Sequence, residues 1–295
     1  MKKLKPTATP ERQGERLRKD GARSGVGVKE RNGPRAAEAA GRFQRATVVA
    51  RRDLTADLWV IRLRPEEKLH FTPGQYATLA TEVDGRLLDR PFSIASSPHD
   101  DEVEFFLEML PSGGLSPHLH KCQVGDTLLM SCQAKGQFAL DLTSGHKRHY
   151  LVATVTGVSP FMSIVRTLAH EARQGRPTDC EIVVMHGASR SWELAYAEEF
   201  DGLVQQSRWL RYLPTISRPW EDRAWEGEVG RIEDVLRKYL DLLNLNPATT
   251  TTYLCGHPQM IQNCKGILKR RGFAREFIRE EFYWGPKTEE RSTGG

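Results

Sequence analysis

The hydrophobic rhythm of this chain changes once, just before residue 150, and that change limits the folds open to it. Between Thr47 and Asp141 the apolar residues come in short runs: Thr47–Arg52, Leu58–Leu63, Gln75–Glu82, Phe92–Ala95, Val103–Glu108, Thr127–Ser131 and Gln137–Leu140. Turn-forming stretches separate them, at Pro73-Gly74, Asp84-Gly85, Ser112-Gly113-Gly114 and Val124-Gly125-Asp126. Many short strands at this spacing predict an antiparallel β-barrel of Greek-key type. Beyond residue 147 strands and helices alternate. Tyr150–Val155, Glu181–His186, Trp209–Thr215 and Thr252–Cys255 read as buried strands, each followed by a helical period at Pro160–Gln174, Glu193–Gln205, Ile232–Leu242 and Pro258–Arg270. That alternation predicts a parallel sheet with right-handed crossovers, in which ligands bind at the carboxyl ends of the strands. The expected architecture is therefore two-domain, β followed by α/β. An antiparallel barrel spans 43–146 and a parallel-sheet α/β domain spans 147–284, with tails at 1–42 and 285–295.

Charge and cysteine usage narrow the function classes. Residues 1–42 carry 12 Lys+Arg against 5 Asp+Glu, a net of +7, whereas the remaining 253 residues carry 31 against 33. The basic character belongs to the leading segment, which has too little apolar area to offset the entropy of ordering and is expected to be disordered. A solvated extension and an arm for nucleic acid or an acidic partner both fit its composition. No uninterrupted apolar run exceeds four residues, as in Ile182–Met185, far short of the ~20 that a membrane-spanning helix needs. The basic start, Met1 to Pro6, is not followed by an apolar stretch, so a secretory signal is not expected. The five cysteines, Cys122, Cys132, Cys180, Cys255 and Cys264, lack the spacing of a zinc ribbon, a thioredoxin motif or an iron–sulfur cluster. Their odd number and scatter suit a reducing cytoplasm. His118 and His120 have no third ligand nearby in sequence, and no metal site is expected.

Within the first half, Asp89-Arg-Pro-Phe-Ser-Ile-Ala-Ser-Ser97 is the most informative segment. Arg90 and Phe92 share one face of a strand and Ser93 lies on the other or at a bend. The planar guanidinium of Arg90 suits a diphosphate, Phe92 suits a flat ring, and Ser93 can donate a hydrogen bond. An ordinary strand with an exposed arginine and a core phenylalanine fits the same residues.

R-P-F-S-I resembles the R-x-Y/F-S flavin motif of the ferredoxin–NADP reductase family. Five further segments resemble that family's motifs in order: Phe71-Thr-Pro-Gly-Gln-Tyr76, Gly113-Gly-Leu-Ser-Pro117, Val155-Thr-Gly-Val-Ser-Pro160, His186-Gly-Ala-Ser-Arg190 and Cys255-Gly-His-Pro-Gln-Met260. The match covers roughly residues 44–284, and the closing pair Tyr283-Trp284 is similar to that of the bacterial subclass. The resemblance implies an FAD barrel and an NADP(H)-binding α/β domain. Arg90, Phe92 and Ser93 would hold the flavin, and Gly114, Leu115 and Ser116 would offer backbone N–H groups to its diphosphate. Tyr283 would stack on the flavin and Trp284 would cover the adenine end. Thr156 and Gly157 would face the nicotinamide dinucleotide at a helix N-terminus. Arg190, Ser217, Arg218 and Arg231 would bind the 2′-phosphate of NADPH, and Cys255 would sit beside the nicotinamide. Ser93, Cys255 and Tyr283 are thus the expected catalytic set.

Three departures from the family pattern stand out. Val155 replaces the first glycine of G-T-G, Phe92 replaces the commoner tyrosine, and residues 285–295 continue past the aromatic pair. The implied activity is hydride transfer from NADPH to FAD, then single-electron release to a separate, acidic ferredoxin or flavodoxin. The alternatives are a reductase component of an oxygenase, a free-flavin reductase, and a nucleic-acid-binding protein with a degenerate reductase body.

Overall fold

The computed structural model describes residues 41–282, so the leading segment 1–40, Tyr283, Trp284 and the tail 285–295 lie outside the described residues. The first half forms a six-stranded antiparallel sheet: β1 (Phe43–Asp53), β2 (Leu58–Pro65), β3 (Tyr76–Val83), β4 (Arg86–Ser93), β5 (Val103–Glu108) and β6 (Thr127–Ser131), ordered β4-β3-β6-β1-β2-β5. The sheet curls until its edges nearly meet, where the Ala95 N–H just past β4 donates to the Glu104 carbonyl of β5 at 2.8 Å. One short helix, α1 (Ser116–Leu119), lies between β5 and β6. Inside the curl Val48, Trp59, Ile61, Leu63, Leu79, Phe105 and Met130 form a core with no exposed surface.

Turn chemistry sets the register here. Val83 pairs with Arg86, leaving Asp84 and Gly85 as a two-residue loop with φ of 50° and 73°. Two positive φ values in succession give the turn type whose twist matches the flanking strands, and Asp-Gly is a favoured pair for it. Two expectations need correction. The fourth strand runs over Arg86–Ser93 rather than beginning at Phe92, because its outer half is a polar edge. Gln137–Leu140 is no strand: Phe138 instead turns inward, 5.8 Å from the Phe161 ring and 5.9 Å from the Tyr253 ring. Its carbonyl passes so close to Gly74 that a Cβ there would lie 2.1 Å from the oxygen.

The second half is a six-stranded, all-parallel sheet of β7 (Arg148–Thr154), β8 (Glu181–Ala188), β9 (Leu210–Ile216), β10 (Glu228–Val229), β11 (Thr250–Gly256) and β12 (Ile278–Phe282). The order is β10-β9-β8-β7-β11-β12. Four helices connect the strands: α2 (Ser159–Arg173), α3 (Ala197–Gln206), α4 (Ile232–Leu242) and α5 (Pro258–Arg270). α3 starts four residues later than its periodicity suggests, because Ser191–Glu193 forms a separate 3₁₀ turn. Both faces of the sheet are covered, as parallel sheets require. Tyr150, Val152, Val183 and Leu254 meet α4 and α5 on one face. On the other, Leu151, Ala153, Val184 and Cys255 meet α2 and α3. That second cluster continues without a break into Leu58, Val60, Phe106 and Phe138 of the first half, so the two halves share an apolar core.

One ionic crosslink runs through the same boundary. Arg166 on α2 donates to the Ala95 carbonyl at 2.9 Å and to Glu104 at 2.8 Å, and pairs with Glu199 on α3 at 2.7 Å. Glu104 also accepts from Arg62 at 2.7 Å. Burial pushes the Glu104 carboxyl up, but Arg166 and Arg62 outweigh it and hold it below the ordinary carboxylate range.

Candidate functional site

Sheet order reverses beside β7, which pairs with β8 on one side and β11 on the other. Such a switch point opens a crevice at the carboxyl ends of the strands. The crevice floor is built by three residues whose close approach only glycine allows. A Cβ on Gly157 would lie 2.4 Å from the Cys255 carbonyl oxygen and 2.9 Å from the Gly256 Cα. A Cβ on Gly256, at φ +126°, would lie 2.3 Å from the Thr154 hydroxyl. A Cβ on Gly187 would strike the Ile232 side chain at 2.6 Å. Gly157 is thus required for packing the turn after β7 onto the end of β11. Thr156 beside it is 9% exposed, and Thr154 Oγ1 accepts from the His257 N–H at 3.0 Å.

Val155, where the resemblance expects glycine, keeps the left-handed conformation with φ of +45°. A β-branched side chain is an outlier there, at a cost of about 1–2 kcal/mol. What holds it is the buried His186 of the H-G-x-R segment. The carbonyl of Val155 can only accept, so the His186 Nε2–H donates to it at 3.0 Å, and Nδ1 accepts from the Tyr212 hydroxyl at 3.2 Å. Burial depresses the His186 pKa to about 4, keeping the ring neutral as this arrangement requires. The sequence contained His186 within a motif but gave no hint of this task.

Facing that floor from the barrel, Ser93 ends β4 at 5% exposure and its hydroxyl donates to Glu281 at 3.2 Å. Glu281 stands on β12, in register with Cys255 on β11. Ser93, Cys255 and Glu281 therefore converge from three strands and from both halves of the molecule. Burial raises the Glu281 pKa above the ordinary carboxylate value, only partly opposed by the Ser93 hydrogen bond. The sequence reading missed Glu281, because Arg279-Glu280-Glu281 looks like a solvated charge run and β12 has no apolar alternation. Tyr283, the third member of the expected set, lies just beyond the described residues.

The remaining barrel residues occupy the rim. Arg90 is exposed, with one guanidinium N–H on its own neighbour's carbonyl, Asp89, at 2.7 Å. Phe92 is half-buried against the barrel core. Gly114 is exposed, with nothing within 4 Å of where a Cβ would stand, so its backbone is open to close approach. Leu115 is 2% exposed and anchors the loop in the core. Ser116 uses its hydroxyl to close that loop, accepting from the Leu110 N–H at 3.0 Å. An exposed arginine, a half-buried aromatic ring and an open glycine backbone are the groups a flavin dinucleotide needs: a cation and N–H groups for its diphosphate, and a flat apolar surface for its ring.

At the far end of the crevice, Arg190, Ser217, Arg218 and Arg231 follow β8, β9 and β10 in turn. Backbone bonds tie their loops together: Ser217 N–H to Ala188, Arg218 N–H to Ser189, and Gly230 N–H to Ile216, at 2.9–3.0 Å. Arg218 and Arg231 are exposed. Arg190 is otherwise engaged. Its Nη1 donates to Glu193 at 2.7 Å, and its Nε donates to Glu221 at 2.7 Å, with Nη2 on the same carboxylate oxygen. Neither carboxylate figured in the sequence reading.

A sequence model described as the oxidoreductase FAD-binding domain matches residues 45–139, and one described as the oxidoreductase NAD-binding domain matches residues 151–266. The ferredoxin–NADP reductase of Azotobacter vinelandii is 31% identical over 214 residues, covering 68% of this chain and 79% of that protein. The reductase component of phenol 2-monooxygenase from Pseudomonas sp. (strain CF600) is 28% identical over 243 residues, covering 81% of this chain and 65% of that protein. In fold, the chain resembles a ferredoxin NADP+ reductase from Neisseria gonorrhoeae, with a TM-score of 0.70 at 24% identity over 82% of this chain and 99% of that one. Among the described residues no helix is long and apolar enough to cross a membrane, and no cluster of three or more His, Cys, Asp or Glu could hold a metal.

Proposed function

The chain belongs to the ferredoxin–NADP reductase family of FAD- and NAD(P)-binding oxidoreductases, and from that premise we propose that it passes a hydride from NADPH to the N5 position of FAD and hands the electrons singly to a ferredoxin or flavodoxin. The observation that carries this reading is the meeting of Ser93, Cys255 and Glu281 at the switch point, where the barrel faces the parallel sheet. When bound, FAD supplies the two-electron acceptor that can be reoxidised one electron at a time.

The chain's own residues bind and orient. Arg90 and the backbone of Gly114 to Ser116 would hold the FAD diphosphate on the barrel rim, with Phe92 against the ring. Ser93 carries a hydroxyl whose direction is fixed by Glu281. Glu281 keeps a proton more readily than an ordinary carboxylate, so the pair can hold or release one inside the crevice. Cys255 is fully buried at the end of β11, where its small side chain would let a nicotinamide ring come close over that strand end, and Gly157 fixes the height of the strand end. Thr156 and Gly157 would flank the dinucleotide diphosphate. Ser217, Arg218 and Arg231 would take the 2′-phosphate. Tyr283 and Trp284 would cover the flavin and the adenine end.

An absorbance spectrum of the purified protein, before and after anaerobic NADPH, tests the first half of this reading. Flavin bands that bleach with NADPH support it, and a protein that stays colourless after FAD is added refutes it. Turnover with purified ferredoxin or flavodoxin, against free flavin and an oxygenase component, tests the acceptor.

A further inference from the structure

The carboxylate of Glu221 occupies the guanidinium of Arg190, one of the arginines expected to bind phosphate. Its Oε2 takes both Nε and Nη2 of Arg190, the fork that otherwise grips two oxygens of one phosphate. Its other oxygen stands 3.7 Å from Nη1 of Arg218. One side-chain carboxylate thus bridges two of the three cations that follow β8, β9 and β10.

This placement is built into the fold. Glu221 ends the 3₁₀ turn Pro219–Glu221, and the next residue, Asp222, is 6% exposed. Asp222 accepts from the Ser191 N–H at 2.8 Å, which pins the turn to the 3₁₀ turn after Arg190. The Arg218 N–H holds the other end of the turn on the Ser189 carbonyl at 3.0 Å. The turn therefore delivers the acid onto the arginine fork from a fixed backbone. Glu193, the second partner of Arg190, serves differently: it is 8% exposed and also accepts from the Ser189 N–H at 2.9 Å, which makes it part of the loop's frame.

We infer that Glu221 is a resident occupant of the 2′-phosphate subsite and sets how strongly the enzyme prefers NADPH over NADH. A dinucleotide carrying a 2′-phosphate must displace the carboxylate from Arg190 and then coexist with it. One carrying a free 2′-hydroxyl need not, and meets a carboxylate able to accept from that hydroxyl. The inference rests on the proposed NADPH reading and adds the residue that restrains it.

The test compares binding of 2′,5′-ADP and 5′-ADP by titration calorimetry to the wild-type protein, to Glu221→Gln and to Glu226→Gln. Glu226 is an exposed acid five residues on, and its substitution makes the same change in net charge. Exposed ion pairs of this kind are worth up to ~1 kcal/mol each, so Glu221→Gln should tighten 2′,5′-ADP about three- to tenfold. It should leave 5′-ADP unchanged or slightly weakened. The ratio of kcat/KM for NADPH over NADH should rise by the same factor, and Glu226→Gln should move neither. Weaker binding of 2′,5′-ADP to Glu221→Gln would mean that the acid orients Arg190 for the phosphate, and would overturn the inference. So would equal tightening of both nucleotides, an equal effect of Glu226→Gln, or a 2′-phosphate preference that Glu221→Gln leaves unaltered. A wild-type protein with no 2′-phosphate preference at all removes the NADPH reading itself.

Discussion

Gly157→Ala should damage both stability and hydride transfer, and the size of the effect follows from the geometry. The new Cβ would lie 2.4 Å from the Cys255 carbonyl oxygen, 2.7 Å from its carbon and 2.9 Å from the Gly256 Cα, whereas ordinary contacts begin at 3.4 Å. The turn after β7 or the end of β11 must retreat by the difference, about 1 Å. Every clashing atom is backbone, so no side chain can swing aside, and the cost belongs near the upper end of overpacking, about 2–3 kcal/mol. The strand end that moves carries Cys255, and a displacement of that size at a reacting pair costs on the order of 10²-fold in rate. Urea unfolding followed by stopped-flow bleaching of the flavin with anaerobic NADPH reads both quantities. Gly202→Ala is the matched control: it sits in α3 with nothing within 4 Å of its Cβ position, and should stabilise by about 0.5–1 kcal/mol. A Gly157→Ala protein with the wild-type urea midpoint and a hydride rate within about twofold of wild type would refute the packing argument and its link to the site.

Arg218→Ala combined with Arg231→Ala should raise KM for NADPH at least about tenfold more than KM for NADH, since charge-assisted phosphate bonds are worth ~1.5–3 kcal/mol; equal effects in steady-state assays would remove the 2′-phosphate assignment. Glu104→Gln leaves the largely buried Arg166 and the half-exposed Arg62 without the anion between them, and should cost about 3 kcal/mol at neutral pH. Because the folded Glu104 pKa is held below its ordinary 4.5, its contribution is present above that value and fades as pH falls, so the substitution should also flatten the acid limb of a pH-unfolding curve. His186→Phe should cost about 1–3 kcal/mol by orphaning the Val155 carbonyl and the Tyr212 hydroxyl, as thermal unfolding would measure. With a folded His186 pKa near 4 against an ordinary 6.5, the unfolded chain takes up this proton first, so wild-type stability should decline below about pH 6.5 and the Phe variant should lose that component.

The legible parts of the fold are those where a local pattern and a tertiary demand agree. Ile232–Leu242 and Pro258–Arg270 match their expected bounds because each has an apolar face at helical spacing, and proline opens the second. β5 and β6 match because apolar runs there are bounded by turn residues. What escaped detection lacked a local signature. Ile278–Phe282 becomes a strand through pairing with β11 alone, and Glu228–Val229 is a two-residue bridge to β9. Gln137–Leu140 has the apolar content of a strand, but Phe138 is consumed by the core shared between the halves. The site follows the same division. The positions of Ser93, Gly157, Cys255 and the arginines after β8 to β10, at or near strand ends, are legible because the strands and their turns come in a fixed order. Glu281, Glu221 and Glu193 are not, since a carboxylate's role depends on what the fold places opposite it, and their partners are 188, 31 and 3 residues away.

The unbroken apolar cluster from Leu58 and Phe106 to Leu151 and Phe161, braced by Arg166, has a consequence for engineering. Neither half is a portable module. A chain cut near residue 146 would give two fragments, each with a raw greasy flank, and would strip Arg166 of the Ala95 carbonyl and Glu104 while leaving it only Glu199. Grafting the barrel onto another dehydrogenase-like sheet would have to carry Leu58, Val60, Phe106 and Phe138, together with Glu104, as a single inherited patch.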